Sequence, residues 1–472
     1  MTALVWLRSD LRAEWNSPLD YAIEHHSQVI ALFCLTPEQW QNYHYAPCKI
    51  NLIINRLALL KDELAERNVS LCIINTENFE LAPQHIVDFC QQHQIASVYF
   101  NAEYEWDERV RDKKFKQLCD QHEIQVAKFH DTCVIKPDLI LSQQNSPYKM
   151  FTPYFKVWLA ELYRAFPFPT ERTQAQSPKI KPQVIDLKPF MRTSEVEDWP
   201  ATFEHMHQRL ATFIAEKAPD YGHARDIPSV DGTSQISHLL SIGGLGAKQC
   251  VFALQQEYAE KLTEPQHGVH VWLKELAWRD FYRYVAFHFT HINKNYPFQK
   301  QYHYFKWETD QALFDAWTQG QTGYPIVDAA MRALKATGWM HNRLRMIVAS
   351  FYCKHLLLPW RWAEDYFMSQ LIDGDFASNN GGWQWSASVG TDAAPYFRIF
   401  NPTAQSERFD PQGEFIKRWV PELSKLSAKQ IHQPSKFVDV QKMGYRLPIV
   451  DHASSVSRTK QQFKQFIELN QQ

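Results

Sequence analysis

Apolar positions in the first 130 residues follow two alternating patterns. Short runs rich in β-branched and aromatic residues, LVWLR (4–8), VIALFCL (29–35), LCII (71–74) and SVYFN (97–101), are apolar at consecutive positions, the pattern of strands buried on both faces of a parallel sheet. Between them the period lengthens. In KINLIINRLALLKDELAERN (49–68), Ile50, Ile53, Ile54, Leu57, Leu60 and Leu64 recur at spacings of three and four, one stripe of a helix. Strand and helix in turn predict an α/β domain with a parallel, Rossmann-like sheet over residues 1–130.

The alternation then stops. Six prolines lie between Pro167 and Pro200, among Ser, Thr, Gln and Lys with no sustained period, and residues 131–200 are expected to connect two domains. From 201 to 472 helical periods dominate, in TSQISHLLSI, KQCVFALQQEYAEKL, VHVWLKELAWRDFYRYVAFHF, PIVDAAMRALKAT and NRLRMIVASFYCKHLL. The C-terminal domain is therefore predicted to be all-α.

Composition adjusts this picture in three ways. A chain of 472 residues has room for two or three domains, and its 16 Trp, 20 Tyr and 30 Phe are an aromatic surplus that calls for an explanation. The eight cysteines are scattered, form no C-x-x-C pair and lie partly in apolar runs, as in a reduced, cytoplasmic protein. Arg8, Asp10 and Arg12 interrupt the first apolar run before a signal peptide is complete, and no uncharged stretch approaches membrane-spanning length.

The net charge of -2 hides an asymmetry. Residues 1–130 hold 12 Lys/Arg against 18 Asp/Glu, whereas 266–362 hold 12 against 6, with seven histidines besides. The second region could attract a polyanion, although ordinary variation between solvated faces explains the charges as well. All 15 glycines lie at or after Gly222. The α/β domain thus has no G-x-G-x-x-G or G-x-x-x-x-G-K-[ST] loop, which excludes a nucleotide held there by a glycine-rich turn.

Candidate chemistry gathers in the helical half. VDGTSQIS sets Thr233, Ser234 and Ser237 around a helix start after Gly232, a place for a phosphate or simply a cap. In VWLKELAWRDFYR, Trp272, Glu275, Leu276 and Arg279 share a helical side with Trp278 and Tyr282 alongside; Glu275 would either meet a site or pair with Arg279 at the surface. MHNRLRM offers Asn342, Arg343, Arg345 and Met346, suited to base edges and phosphates or to a solvated amphipathic face. GDFASNNGGWQWSASVG combines Asp373 and Asp375 as acceptors for a cyclic imide or ribose hydroxyls, Asn379 as a neutral carboxamide, two indoles, and glycines that let backbone approach a flat ligand or form a loop between helices.

Together these stretches resemble the photolyase and cryptochrome family. TGYPIVDAAMRALKATGWMHNRLRM and YFMSQLIDGDFASNNGGWQWSASVGTDAAPYFRIFNPTAQSERFDPQGEFIKRWVPEL resemble its flavin domain, and VWLRSDLR with Asn16 and Leu19 resembles its opening strand and loop, so the likeness spans nearly the whole chain. The nearest branch is the folate-carrying cyclobutane pyrimidine dimer photolyases of bacteria. One departure is Trp15, where the family usually has Asp.

By position, the resemblance implies an FAD-binding C-terminal domain with contacts at Tyr221, Thr233, Ser234, Gln235, Ile236, Ser237, Trp272, Arg279, Asp373, Gly374 and Asp375, and Asn379 at flavin N5. It implies electron transfer through Trp307, Trp360 and Trp383, and dimer chemistry at Glu275, Asn342, Met346, Asn379 and Trp385. DNA contacts would come from Arg225, Glu275, Trp278, Tyr282, Asn342, Arg343, Arg398 and Gln405. An antenna, 5,10-methenyltetrahydrofolate, would lie between the domains at His44, Asp107, Glu108 and Lys294, with Asp107 replacing the family's amide. The implied protein is a monomeric, light-driven repair enzyme for UV-damaged DNA, needing no metal and no membrane.

Two rivals remain within the family. A cryptochrome photoreceptor would often carry Asp or Cys in place of Asn379 and a long tail, and a (6-4) photolyase would show histidines where Asn342 and Met346 stand. Both substitutions argue for dimer repair.

Overall fold

Alternating side chains along each strand divide the first half into two cores. The computed structural model describes residues 2–169, 173–176 and 185–470. Its strands are β1 (Thr2–Leu7), β2 (Gln28–Leu35), β3 (Ser70–Asn75), β4 (Ser97–Asn101) and β5 (Gln125–Phe129). All pair in parallel in the order β3-β2-β1-β4-β5. Ala3, Val5 and Leu7 of β1 face one core, with Val29, Ala31, Phe33 and Leu35 of β2 and the helix Pro47–Ala65. Leu4 and Trp6 face the other, under the helices Ala82–Gln92 and Trp106–Gln121. The period-2 geometry of a strand makes this division. Strand order reverses between β1 and β4, which opens a crevice at their carboxyl ends. The edge strand β5, with its half-exposed QVAKF, was not among the sequence-predicted strands.

The helix at 47–65 follows its apolar stripe, but its polar side is also covered. Lys49, Asn51 and Arg56 are buried, bonded to Gly374, Arg192 and Ala201 of the later chain respectively. Arg56 is satisfied by Glu63 and by the carbonyls of Leu11 (2.8 Å) and Ala201 (3.2 Å). One continuous core runs from Ala3 and Val5 to Leu273 and Ala377, across both halves. A second core, around Trp317, Tyr352, Phe367 and Trp383, belongs to the helical half alone.

Residues 131–200, expected as a connection, contain the helix Phe151–Arg164. Phe151 stacks on Trp278 at 3.6 Å and Trp158 Nε1 donates to Asp280 at 3.0 Å, so this helix is packed onto the helix Gly268–His288. The described part of 167–200 runs back along the first half, where Ala175 N donates to the Arg67 carbonyl and Arg192 N to Asn51 Oδ1.

GDFASNNGGWQWSASVG is a helix, Phe376–Ala387, opened by Asp375 as N-cap (Ser378 N donates to Oδ1, 2.9 Å). Glycines inside a helix cost about 1 kcal/mol each, and packing gives a reason for one of them. A Cβ on Gly381 would run into the Tyr282 ring, so Gly381 lets this helix lie against the Gly268–His288 helix. Backbone approach to a flat ligand is therefore not what Gly381 provides. All eight cysteines are buried and free. Among the described residues, no helix is long and apolar enough to cross a membrane.

Candidate active site

Where the strand ends meet the helical half, a cavity of about 450 Å3 opens between them. Arg8, Ser9, Glu103 and Glu105 line it from the ends of β1 and β4, Tyr43, His44, Tyr45 and Lys49 from the segment entering the 47–65 helix, and Arg279, Arg283, Glu364 and Asp375 from the helical half.

At the helical end, Asp373 and Asp375 flank Gly374, and each has its own arginine. Arg345 Nη2 donates to both oxygens of Asp373 (2.8 and 3.0 Å), and Arg283 pairs with Asp375. Burial alone would raise the Asp375 carboxyl, but Arg283 and Arg279 outweigh it and hold its pKa at about 2. Arg279 donates to the carbonyls of Thr132 (2.7 Å) and Leu240 (3.3 Å). Its nearest carboxylate among the described residues is Asp280 at 3.8 Å, itself engaged by Val134 N, Ile135 N and Trp158 Nε1. Arg283 Nη1 is buried without a hydrogen-bond partner. A half-buried cation bonded to carbonyls and an orphaned donor on a cavity-lining arginine fit an anionic ligand with acceptor atoms.

Asn379 Nδ2 donates to the Glu364 carbonyl (2.9 Å), and Asn380 Nδ2 to Glu364 Oε1 (2.7 Å). Burial pushes the Glu364 carboxyl up to about 7. Tyr221 and Trp272 are buried against Phe213. In the 233–237 segment, Arg209 bonds the Ser234 carbonyl and Gln235 Oε1, and Trp339 Nε1 donates to Ser237 Oγ.

Glu275 meets Arg225 (2.5 Å), not Arg279 four residues on. Arg225 adjoins Asp226, which takes a bond from Arg343 (2.8 Å), so Glu275, Arg225, Asp226 and Arg343 form a row of alternating charge. Trp278 and Tyr282 lie side by side at 5.7 Å. Asn342 and Arg398 are exposed, and Met346, Trp385 and Gln405 half-buried.

Trp383 and Trp360 are buried in the second core, with half-buried Trp307 packed at its edge. Trp383 is T-shaped to Phe367 at 4.9 Å and to Trp317 at 6.0 Å.

At the sheet end, His44, Asp107 and Glu108 line the cavity together; Lys294 is not among the lining residues but lies over the Trp106 ring at 3.6 Å. Tyr43 donates its hydroxyl to Asp107 (3.1 Å), a partner the sequence reading missed. Burial raises the Glu108 carboxyl well above the carboxylate range, and Glu105 and Glu103 add to the rise. Glu103 is held at about 2, because Arg8 and Arg111 outweigh its burial.

Comparison with known proteins agrees along the chain. Residues 3–172 match the DNA photolyase family, and residues 272–465 match the FAD binding domain of DNA photolyase. A deoxyribodipyrimidine photo-lyase of Vibrio cholerae is 42% identical over 467 residues, covering 98% of this chain and 99% of that protein. The crystal structure of a bacterial class III photolyase from Agrobacterium tumefaciens aligns with a TM-score of 0.85 at 31% identity, over 99% of this chain and 98% of that one. An archaeal photolyase from Sulfolobus tokodaii, solved with two FAD molecules, aligns with a TM-score of 0.83 at 29% identity, over 98% and 100%.

Proposed function

The chain belongs to the DNA photolyase family, and we propose from that premise that its junction cavity and the adjoining face of the helical half carry out light-driven repair of cyclobutane pyrimidine dimers in DNA, using FAD. The observation that carries the reading is the Asp373–Gly374–Asp375 loop, braced by two arginines beside the carbonyl-bonded Arg279. That set joins fixed acceptors to surplus cation, as a ligand with imide and hydroxyl donors and a diphosphate requires.

Arg279 and the amides of Thr233, Ser234, Gln235, Ile236 and Ser237 would hold the diphosphate. Tyr221 and Trp272 would pack against the cofactor, and Asp373 and Asp375 would accept its hydroxyl or imide hydrogens. Asn379, steadied by the Glu364 carbonyl, would present its carboxamide to N5. The chemistry supplied by bound, reduced FAD is a light-driven one-electron transfer to the dimer, reversed once the cyclobutane ring has split.

The lesion must leave the duplex stack, as photolyase substrates do. Trp278, Tyr282 and Trp385 offer ring faces, Asn342 and Glu275 polar contacts, and Met346 an apolar one. Arg225, Arg343, Arg398 and Gln405 would hold the strand by sequence-independent contacts. Trp307, Trp360 and Trp383 would bring electrons from the surface to oxidised flavin, a role separate from repair. We assign 5,10-methenyltetrahydrofolate to the sheet end, where Glu108, Asp107 and Tyr43 suit a pterin bearing N–H donors, with His44 alongside and Lys294 at the rim. The enzyme would act as a monomer in a reducing cytoplasm, where its eight thiols stay free.

The test is an absorption spectrum of purified protein, followed by illumination with dimer-containing DNA. Flavin bands, a separate near-UV band and light-dependent loss of dimers are expected. A protein that binds no flavin when supplied with FAD would overturn the reading.

A further inference from the structure

Lys49 belongs to the first half by sequence and to the second by position. It sits in the first turn of the Pro47–Ala65 helix and is only 4% exposed. Its ammonium donates to the carbonyl of Gly374, 325 positions away, and lies over the Tyr45 ring at 3.8 Å. Neighbouring residues are anchored too, Cys48 to the same region and Asn51 to the connection between the halves. Cys48 Sγ lies 3.8 Å from the Gln370 carbonyl, and Asn51 exchanges two hydrogen bonds with the backbone of Arg192. The first turn of this helix is thus a fixed plug against the loop that carries Asp373 and Asp375.

A buried ammonium is unfavourable unless something compensates it. One carbonyl and one ring face are modest compensation, and the two nearby aspartates already have Arg345 and Arg283 as partners. Counting Asp373 and Asp375 against Arg345, Arg283 and Lys49, the loop and its direct partners carry one positive charge in excess, while Arg279 nearby has Asp280 at 3.8 Å. Burial lowers the Lys49 pKa to about 8, while Asp375 and Asp373 act to keep it charged. Excess buried cation favours whatever anion binds beside it.

We propose that Lys49 is a positioning residue of the flavin site, supplied across the junction by the α/β half. It fixes the Gly374 loop, and its charge favours reduced over oxidised flavin, because two-electron-reduced flavin is anionic at neutral pH. The inference rests on the assignment of Asp373 and Asp375 to FAD. It also gives the sheet half a hold on the flavin that does not depend on any antenna.

The experiment measures the affinity of apoprotein for FAD and the midpoint potential of bound flavin in Lys49→Met, Lys49→Arg and Asp375→Asn. Lys49→Met keeps an apolar stem of similar length and removes the charge. It should lower the ratio of reduced-form to oxidised-form affinity by about tenfold, a shift of about 30 mV for a two-electron couple. Lys49→Arg should restore most of the shift, which a purely structural role would not do. An unchanged potential in Lys49→Met, with Asp375→Asn weakening FAD, would overturn the role of Lys49. Asp375→Asn without effect on FAD would instead overturn the site assignment beneath it. Should Lys49→Met not fold, Lys49→Gln carries the same measurement.

Discussion

Beneath the ends of β1 and β4 the cavity gathers Glu103, Glu105 and Glu108 around two arginines, Arg8 and Arg111; its other end is lined by Asp375 with its partner Arg283 and by two further cations, Arg279 and Lys49, while Asp373 pairs with Arg345 outside the lining. Burial pushes Glu105 and Glu108 upward, and neighbouring carboxylates add to it, Asp375 and Glu103 for Glu105 and Glu105 and Glu103 for Glu108. At the helical end Asp375 is driven down to about 2 despite its burial. One continuous space thus offers acceptors to a donor-bearing ring at one end and cations to a phosphate-bearing ligand at the other. Opposite charge balance can sort two ligands without a wall between them.

The largest expected effect comes from breaking the cationic end. Arg283→Ala removes the cation paired with Asp375 and, with it, the unpartnered Nη1 donor, so FAD affinity should fall by about 100-fold. Antenna binding at the sheet end should survive. Flavin and near-UV absorbance after gel filtration report the two ends separately, and equal loss of both would mean that they are one site.

Glu108→Gln is the mirror image. The amide turns one oxygen of the Glu108 carboxyl into an NH2 donor that faces the N–H groups of the ring, so antenna occupancy should weaken by about tenfold, with FAD content unchanged. The same two absorbance bands check it, and a selective loss of flavin would reverse the assignment of the ends.

A smaller effect lies in the pH dependence of stability. The folded pKa of Asp375 is below its ordinary 3.8, so its roughly 2 kcal/mol is present above about pH 4 and fades as pH falls toward 2. Glu108 has the opposite sign. Its raised pKa weakens the fold as pH climbs above the ordinary carboxylate value, so Glu108→Gln should gain stability at neutral pH. Thermal unfolding of wild type, Asp375→Asn and Glu108→Gln from pH 3 to 8 separates the two, and parallel curves would sink the contrast.

Much of this protein can be read locally. Four of the five strands, the 47–65 helix and the 268–288 helix follow from apolar spacing, because burial on one face imposes a period of 2 or 3.6 within a few residues. The motifs at 322–346 and 366–423 carry the family likeness for a related reason, since a stretch that must hold acids, amides and indoles in fixed order keeps them contiguous. What spacing could not supply was partners. Glu275 has Arg279 on the same helical side but is met by Arg225, 50 positions earlier. Gly381 reads as loop freedom until the Tyr282 ring is found against it. Tyr43 and Asp107 are 64 positions apart, and Lys49 and Gly374 are 325. Such pairs form where two elements cross, and the crossing is fixed by how the sheet and helices share one core. Local pattern therefore determined which elements form and which family they spell, and the tertiary structure decided which charges face each other across the junction.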